Sequence, residues 1–312
     1  MLNIQENKPL SDLTTFEIGG PAKYFVEVKT DEEIHDALGW AREHNVPFFV
    51  MGGGSNLLIP DEGFEGLVIH IVSNHFSFFN MTGLRNPSLE ADAGCNLLTL
   101  IRAAADEGFG GWEKLGGIPG TIGGAVRGNA GAFGPEIKDF LTWARAINTK
   151  TEDVHEFTNA ECEFAYRMSY FKKNPEWIIT KAHIQLNEVK PHQSKQLIED
   201  TITEREKRHI QNVRAAGSYF MNPVAPANIV AMFEKEKGVR SRGGRVPAGW
   251  LIEKAGMKGV RVGDAISSEQ HPNYLVNAGN AKATEVRALA EKIKAAVKSK
   301  FEVELEEEAV VL

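Results

Sequence analysis

Residues 24–29, YFVEVK, alternate apolar and polar side chains with the period of a half-buried strand. Thr30 and Glu33 then form a capping-box signature, and Ile34, Ala37, Leu38 and Ala41 recur at the spacing of one helix face. Asn45-Val46-Pro47 ends that helix and an apolar run begins at Phe48, so the chain opens strand, helix, strand. Apolar runs at 67–72, 76–79 and 89–93 predict further strands, and 96–107 reads as a helix closed by Gly108. Strand patterns return between about 140 and 190, in WARAINT and EWIITKAHIQL. Residues 194–211 form a charged helix with Leu197, Ile198 and Ile202 on its buried side, which marks a domain boundary. Beyond it lie a helix from about 226, the segment PAGWLIEKAGMKG, and a long helix over 284–300 that buries Val286, Leu289, Ile293 and Val297. The closing FEVELEEEAVVL reads as a strand, which puts Glu306 and Glu308 on one face and Glu307 on the other.

Two glycine-rich stretches interrupt these patterns. The first, MGGGSNLL, follows the strand run that begins at Phe48; the second, KLGGIPGTIGGAVRGNAGAFG, spans 114–134. Three successive glycines forfeit side-chain burial and carry a high ordering entropy, so they mark either a tight turn or a ligand approaching the main chain. Backbone N–H groups in such a turn form a nest for an anion such as a phosphate. A Walker loop is excluded because no Gly-Lys-Ser/Thr closes the stretch, and GxGxxG fails at Leu57. Two such loops in one half of the chain suggest one ligand cradled from two sides.

A formal charge of −7 means that the molecule as a whole does not attract anions, so a phosphate-bearing ligand needs local nests and placed cations. Nucleic acid is a poor expectation on that ground. Cys95 and Cys162 are too few for a disulfide scaffold and read as reduced packing residues; no His/Asp/Glu set has metal-ligand spacing, so no metal is expected. No basic segment leads into an apolar core near the start, and no run of about 18 apolar residues occurs, which makes a cytoplasmic location without membrane contact the expectation. The sequence sets no oligomeric state, and a monomer is the starting assumption.

Candidate chemistry lies in four places. ECEFAYRMSYF holds Arg167, suited either to bidentate carboxylate or phosphate binding or to stacking on Tyr166. Ser218 in AAGSYFMNP either donates a proton at a reacting centre or caps a turn. The Glu306–Glu307–Glu308 run is either a solvated edge or part of a site, and His271 and Asn273 in EQHPNYLVN are similarly open. No serine lies in GxSxG, so a serine hydrolase is weakly supported.

Seven pieces in order, TTFEIGGPA, MGGGSNLL, LGGIPGTIGGA with NAGAFG, YRMSYF, GSYFMNP, PAGWLIEKAGMKG and HPNYLVN, resemble the UDP-N-acetylenolpyruvoylglucosamine reductases across nearly the whole chain. The resemblance implies an α+β protein. Residues 1–192 would form an FAD-binding domain of the vanillyl-alcohol-oxidase (PCMH-like) type, with subdomains near 1–72 and 73–192. A substrate-binding α+β domain over 193–303 and a terminal strand over 304–312 carrying an active-site Glu would follow. Gly52, Gly53, Gly54, Ser55 and Asn56 would wrap the FAD pyrophosphate. Gly117, Ile118, Pro119, Gly120, Thr121, Gly123, Gly124, Asn129, Gly131 and Ala132 would approach it and the flavin from the other side. Ser55 and Asn56 follow the glycines, whereas some relatives of the broader fold bind flavin covalently through a histidine there, so noncovalent FAD is expected.

The resemblance further implies NADPH as hydride donor and a nucleotide-sugar substrate whose enolpyruvyl group is reduced in peptidoglycan precursor synthesis. Arg167 would bind the carboxylate, Ser218 would protonate the α-carbon and Glu308 would assist; Tyr166, Asn222, Lys258 and Asn273 would bind substrate. Glu308 is chosen because LEEEAV matches the family's terminal Leu-Glu-x-Glu-Val at its second Glu. Met221 departs from the family's usual Lys, and no Gln-Pro precedes the serine turn, which leaves Arg208 and Arg214 as either replacement cations or solvated side chains. The 51 positions between Arg167 and Ser218 resemble the shorter subtype that lacks a substrate-closing insertion. An oxidase on the same fold and a noncatalytic nucleotide-sugar binder are the competing readings, which the serine, arginine and glycine motifs disfavour.

Overall fold

A computed structural model describes residues 2–79, 87–208 and 213–312. Chain contacts divide it into two compact units, the first comprising Met1–Lys8, Ala22–Gly54 and Glu65–Glu206, the second Pro9–Pro21, Ser55–Phe64 and Lys207–Leu312.

Two sheets organise the first unit. One has the strand order Gln5–Pro9, Pro21–Val28, Phe64–Ile71, Phe48–Met51. Helix α1 (Asp31–Glu43) connects Pro21–Val28 to Phe48–Met51 and buries Ile34, Ala37, Leu38 and Ala41, the stripe its spacing predicts. Each fully buried Ile or Leu there contributes about 1.5–3 kcal/mol. Thr30 caps α1 by accepting from the Glu33 N–H, but the Glu33 carboxylate accepts from the Lys29 N–H instead of closing the expected reciprocal box on Thr30. Phe48–Met51 runs parallel to Phe64–Ile71, with Met51 opposite His70.

The other sheet is antiparallel, in the order Val154–Thr158, Leu141–Asn148, Trp177–Gln185, Ser88–Asp92, Phe76–Phe79. Helix α2 (Leu97–Asp106) opens on Asn96, whose side chain accepts from the Thr99 N–H, and stops at Gly108 in the left-handed region. Helices α3 (Ile122–Gly128), α4 (Tyr170–Lys173) and α5 (Pro191–Arg208) complete the unit. On α5 Ile198 is buried as expected, whereas Leu197 is 40% exposed; positions 209–211 of the predicted helix lie outside the described residues. A single apolar core runs through both sheets. Both cysteines are free and buried there, and burial pushes the Cys95 thiol up to about 11 and the Cys162 thiol to about 12.

In the second unit α6 (Ala227–Lys237), α7 (Ala248–Lys254) and α8 (Ala283–Phe301) pack with a sheet of Arg261–Val262, Ala265–Ser267 and Leu275–Asn277. Helix α8 buries Val286, Leu289, Ile293 and Val297, as its spacing predicts. Its N-terminus is held by Asp61, whose carboxylate accepts from the Ala283 N–H at 2.6 Å and from the Thr284 N–H and hydroxyl at 3.1 and 2.9 Å. The tail departs from the expected continuous strand. Glu302 ends α8 in the left-handed region, 302–306 carry no regular structure, Glu307 makes a single antiparallel bridge to Phe220, and Val310–Val311 pairs parallel to Leu57–Leu58. Among the described residues no helix is long and apolar enough to cross a membrane.

Candidate active site

The first glycine turn begins where Phe48–Met51 leaves its sheet, and the division between the two units falls between Gly54 and Ser55. A Cβ on Gly52 would stand 2.7 Å from the Thr121 hydroxyl, and one on Gly53 would stand 3.1 Å from the Gly120 Cα. Gly53 therefore lies against the Gly120 main chain and Gly52 against the Thr121 side chain, a close approach that leaves no room for a Cβ at Gly52. Among the described residues, the Gly53 and Gly54 N–H groups donate to nothing in the chain. Bare main chain with donors to spare fits the pyrophosphate of a dinucleotide.

The second stretch is fixed from below. Gly120 O accepts from the Leu97 N–H at 3.1 Å, and the Ile122 and Gly123 N–H groups donate to Cys95 O and Ala93 O, both at 2.9 Å. Thr121 caps α3 through the Gly124 N–H. Not every predicted glycine faces a ligand: Gly123 is buried, and a Cβ there would lie 2.7 Å from the Ala93 Cβ, so its bareness lets α3 pack against the turn that follows Ser88–Asp92. Gly131 likewise turns toward Glu136 and Pro135. Gly124 and Pro119 are exposed, while Ile118, Gly120 and Ala132 are half-buried. The sequence missed Arg205, whose Cδ lies where a Gly117 Cβ would come within 3.0 Å and whose guanidinium sits 5.9 Å from the Phe133 ring centre. The charged run TEREKR around it reads as a solvated face, so nothing in the pattern distinguishes that one arginine.

Arg167 occupies a two-residue turn closed by Ala165 and Met168, whose N–H groups donate to each other's carbonyls at 3.0 and 3.1 Å. Its φ is +55°, a left-handed conformation that costs a residue with a Cβ about 1 kcal/mol and is ordinarily left to Gly or Asn. Such cost is tolerated where the side chain it presents has a task. The guanidinium donates to Gly131 O at 3.0 Å and lies 5.3 Å from the Tyr166 ring centre, so the stacking considered from sequence is present beside a hydrogen bond to the second glycine stretch. The Lys172 ammonium donates to Arg167 O, and Ser169, fully buried, caps α4 and donates to Arg127 O at 2.6 Å.

In the second unit Ser218 follows Gly217 (φ +74°) and bridges to Tyr274. It is half-buried, and among the described residues its hydroxyl makes no hydrogen bond to the chain. The backbone after it is locked from two sides. The Tyr219 N–H donates to Asn273 O at 2.7 Å; the Asn273 side chain accepts from the Phe220 N–H at 2.9 Å and donates to Phe220 O at 2.8 Å. Opposite, the Glu308 N–H donates to Tyr219 O at 2.8 Å, and Asn56 donates to Glu308 O at 3.0 Å. Asn273 is 3% exposed and its amide is spent on the chain, so its place is behind Ser218. Asn56 likewise turns its amide onto the terminal segment.

Asn222 Oδ1 accepts from the Ala248 N–H at the start of α7, and Lys258 is exposed. The three glutamates separate by environment: Glu306 is exposed, Glu307 pairs with Lys294 at 2.7 Å, and Glu308 is half-buried beside the serine strand. Burial lowers the Lys294 pKa, but hydrogen bonds to Glu291 and Glu307 outweigh it and leave the ammonium above its ordinary value. Burial, with the Glu307 charge behind it, pushes the Tyr219 phenol up. Arg214 pairs with Glu17 at 3.6 Å, and the Arg208 side chain lies outside the described residues.

Residues 22–158 match the FAD binding domain family, and residues 208–312 match the C-terminal domain of UDP-N-acetylenolpyruvoylglucosamine reductase. The chain is 36% identical to the reductase of that name from Solibacter usitatus, over 98% of this chain and 96% of that one. It is 37% identical to the one from Carboxydothermus hydrogenoformans, over 99% and 94%. The crystal structure of UDP-N-acetylenolpyruvylglucosamine reductase from Thermus caldophilus superposes with a TM-score of 0.74 at 30% identity, covering 100% of this chain and 98% of that one. Glycine cradle, arginine turn and locked serine strand thus occur in a chain that belongs to the UDP-N-acetylenolpyruvoylglucosamine reductase family.

Proposed function

We propose that the protein reduces UDP-N-acetylglucosamine enolpyruvate to UDP-N-acetylmuramate with NADPH, through noncovalently bound FAD, in the synthesis of peptidoglycan precursors. The observation that carries the cofactor assignment is the meeting of Gly52 and Gly53 with Gly120 and Thr121, with unused N–H donors at Gly53 and Gly54. Ser55, the Asn56 main chain and the 117–124 and 131–132 parts of the second stretch complete that side of the reading, while the Asn129 side chain is committed to the chain. Held there, FAD would supply a two-electron carrier between NADPH and the β-carbon of the enolpyruvyl group.

The chain's own residues manage the charge that follows. Hydride arriving at the β-carbon drives electron density to the α-carbon and its carboxylate. The Arg167 guanidinium, fixed by its turn, holds that carboxylate where charge builds up, which lowers the barrier most when the donor needs no reorganisation. Tyr166 flanks it. The Ser218 O–H delivers a proton to the α-carbon, which completes addition of one hydride and one proton across the double bond. Glu308 assists that transfer, while Asn222 and Lys258 contact the nucleotide sugar. Asn273 serves by fixing the strand that carries Ser218. The substrate is a small nucleotide sugar, and a cytoplasmic location with action as a monomer belongs to the same reading.

The test is to follow NADPH oxidation by the purified protein with and without UDP-N-acetylglucosamine enolpyruvate, and to weigh the product. Consumption that requires the substrate, with a gain of two hydrogens in the product, supports the reading. NADPH oxidation that proceeds equally without substrate and consumes oxygen overturns it in favour of an oxidase.

A further inference from the structure

Asn129 ends α3 in the left-handed region at φ +44° and is fully buried. Its amide nitrogen donates to Ala165 O at 2.8 Å and to the Glu136 carboxylate at 3.0 Å, and its Oδ1 accepts from the Lys138 N–H at 3.2 Å. Both donors are committed, which leaves the side chain no hydrogen to offer a ligand. Ala165 is the residue from which the Arg167 turn departs, and Gly131, two positions after Asn129, supplies the carbonyl that holds the Arg167 guanidinium at 3.0 Å. The same short segment therefore grips the turn at its base through Asn129 and at its tip through Gly131.

We infer that Asn129 is a positioning residue for Arg167 and not a ligand of the cofactor. The inference rests on the reading of Arg167 as the group that binds the substrate carboxylate. An arginine held in a left-handed turn has no intrinsic reason to stay there, and the buried amide supplies one: without it Ala165 O keeps only the Met168 N–H across the turn, the tie from the end of α3 to the turn is lost, and the turn can relax. Relaxation by about an ångström displaces the guanidinium from the carboxylate, and misplacement on that scale slows a reaction on the order of a hundredfold.

Two substitutions separate this from a general packing role. Asn129→Gly keeps the left-handed conformation at no steric cost but deletes the amide. Asn129→Asp keeps the acceptor for the Lys138 N–H while setting an oxygen against Ala165 O and the Glu136 carboxylate. Rapid mixing without oxygen measures flavin bleaching by NADPH, then return of colour on adding the enolpyruvyl substrate. Both variants should bleach within about twofold of wild type and recover colour roughly 10- to 100-fold more slowly. Combined with Arg167→Lys, either should add less than about threefold to the larger single loss, because one broken contact cannot be broken twice.

If Arg167→Lys slows colour return and the Asn129 variants do not, or if the losses multiply, the positioning role is wrong while the Arg167 assignment stands. If Arg167→Lys is itself silent, both fall. Should the Asp variant fail to fold, the Gly variant decides alone; equal loss of both half-reactions in it, with lower FAD content, also overturns the inference.

Discussion

Asn273→Ala removes a side chain that hydrogen-bonds both backbone groups of Phe220, at 2.9 and 2.8 Å, inside a core where Phe220 is 1% and Asn273 3% exposed. Water cannot replace those contacts without opening the core. Each stranded polar group costs about 1–3 kcal/mol, so the pair predicts a loss of about 2–6 kcal/mol. Urea unfolding followed by tryptophan emission should show a midpoint roughly 1–2 M lower at unchanged slope, taking a slope of about 2–3 kcal/mol per molar. Asn273→Asp gives a second arm with a definite pH sign. The introduced carboxyl, when protonated, donates to Phe220 O, so its folded pKa lies above the unfolded value of about 3.9. The deficit relative to wild type should therefore be small at low pH and grow as pH rises through the folded pKa. An unchanged midpoint in Asn273→Ala, accompanied by a raised KM for the nucleotide sugar, would refute the argument and return Asn273 to the substrate.

Three separate Glu→Gln changes should divide along the environments of the tail. Glu306→Gln should be neutral, Glu307→Gln should lower stability by weakening the Lys294 pair with little direct effect on chemistry, and Glu308→Gln should lose the most turnover; equal activity losses would remove the distinction. Asp61→Ala should destabilise the second unit by about 1–2 kcal/mol, read as a lower melting temperature, because three donors at the start of α8 lose their acceptor. Burial raises the Asp61 pKa, but the Ala283 and Thr284 hydrogen bonds and Lys282 outweigh it, so the folded value is depressed. That contribution is complete above about pH 5 and lost as pH falls through the lowered value; a mutant deficit unchanged down to pH 2 would contradict the assignment. Acid or heat denaturation should release intact FAD, and flavin that remains attached to the chain would rule out the noncovalent cradle.

Much of the fold was legible because it is local. The α1 stripe, the Thr30 cap and the four buried positions of α8 all follow from spacing within a few turns. The tail was not, since alternation in FEVELEEEAVVL reports burial on alternate sides and cannot tell a strand from an extended run that pairs briefly at Glu307 and at Val310–Val311 with two different partners. Nor could pattern show that Pro9–Pro21 and Ser55–Phe64 pack with the C-terminal unit; two-residue pairing with a distant partner leaves no periodicity. The site divides the same way. Glycines that need bare backbone announce themselves, but an asparagine looks the same in sequence whether its amide meets a ligand or the chain. Asn56, Asn129 and Asn273 all meet the chain.

Ser218→Ala tests the central claim most directly, because the two half-reactions make different demands on that hydroxyl. Hydride transfer from NADPH needs no proton at a substrate carbon, whereas substrate reduction does. In oxygen-free rapid mixing the account predicts that wild type and variant bleach alike with NADPH. The variant should then recover colour with UDP-N-acetylglucosamine enolpyruvate about 10²–10⁴-fold more slowly, the usual contribution of a general acid. Loss of a turn-capping hydroxyl would be far smaller. A wild-type flavin that stays bleached when this substrate is added would contradict the assigned reaction, and a variant that slows in both steps equally, or in neither, would contradict the assigned proton donor.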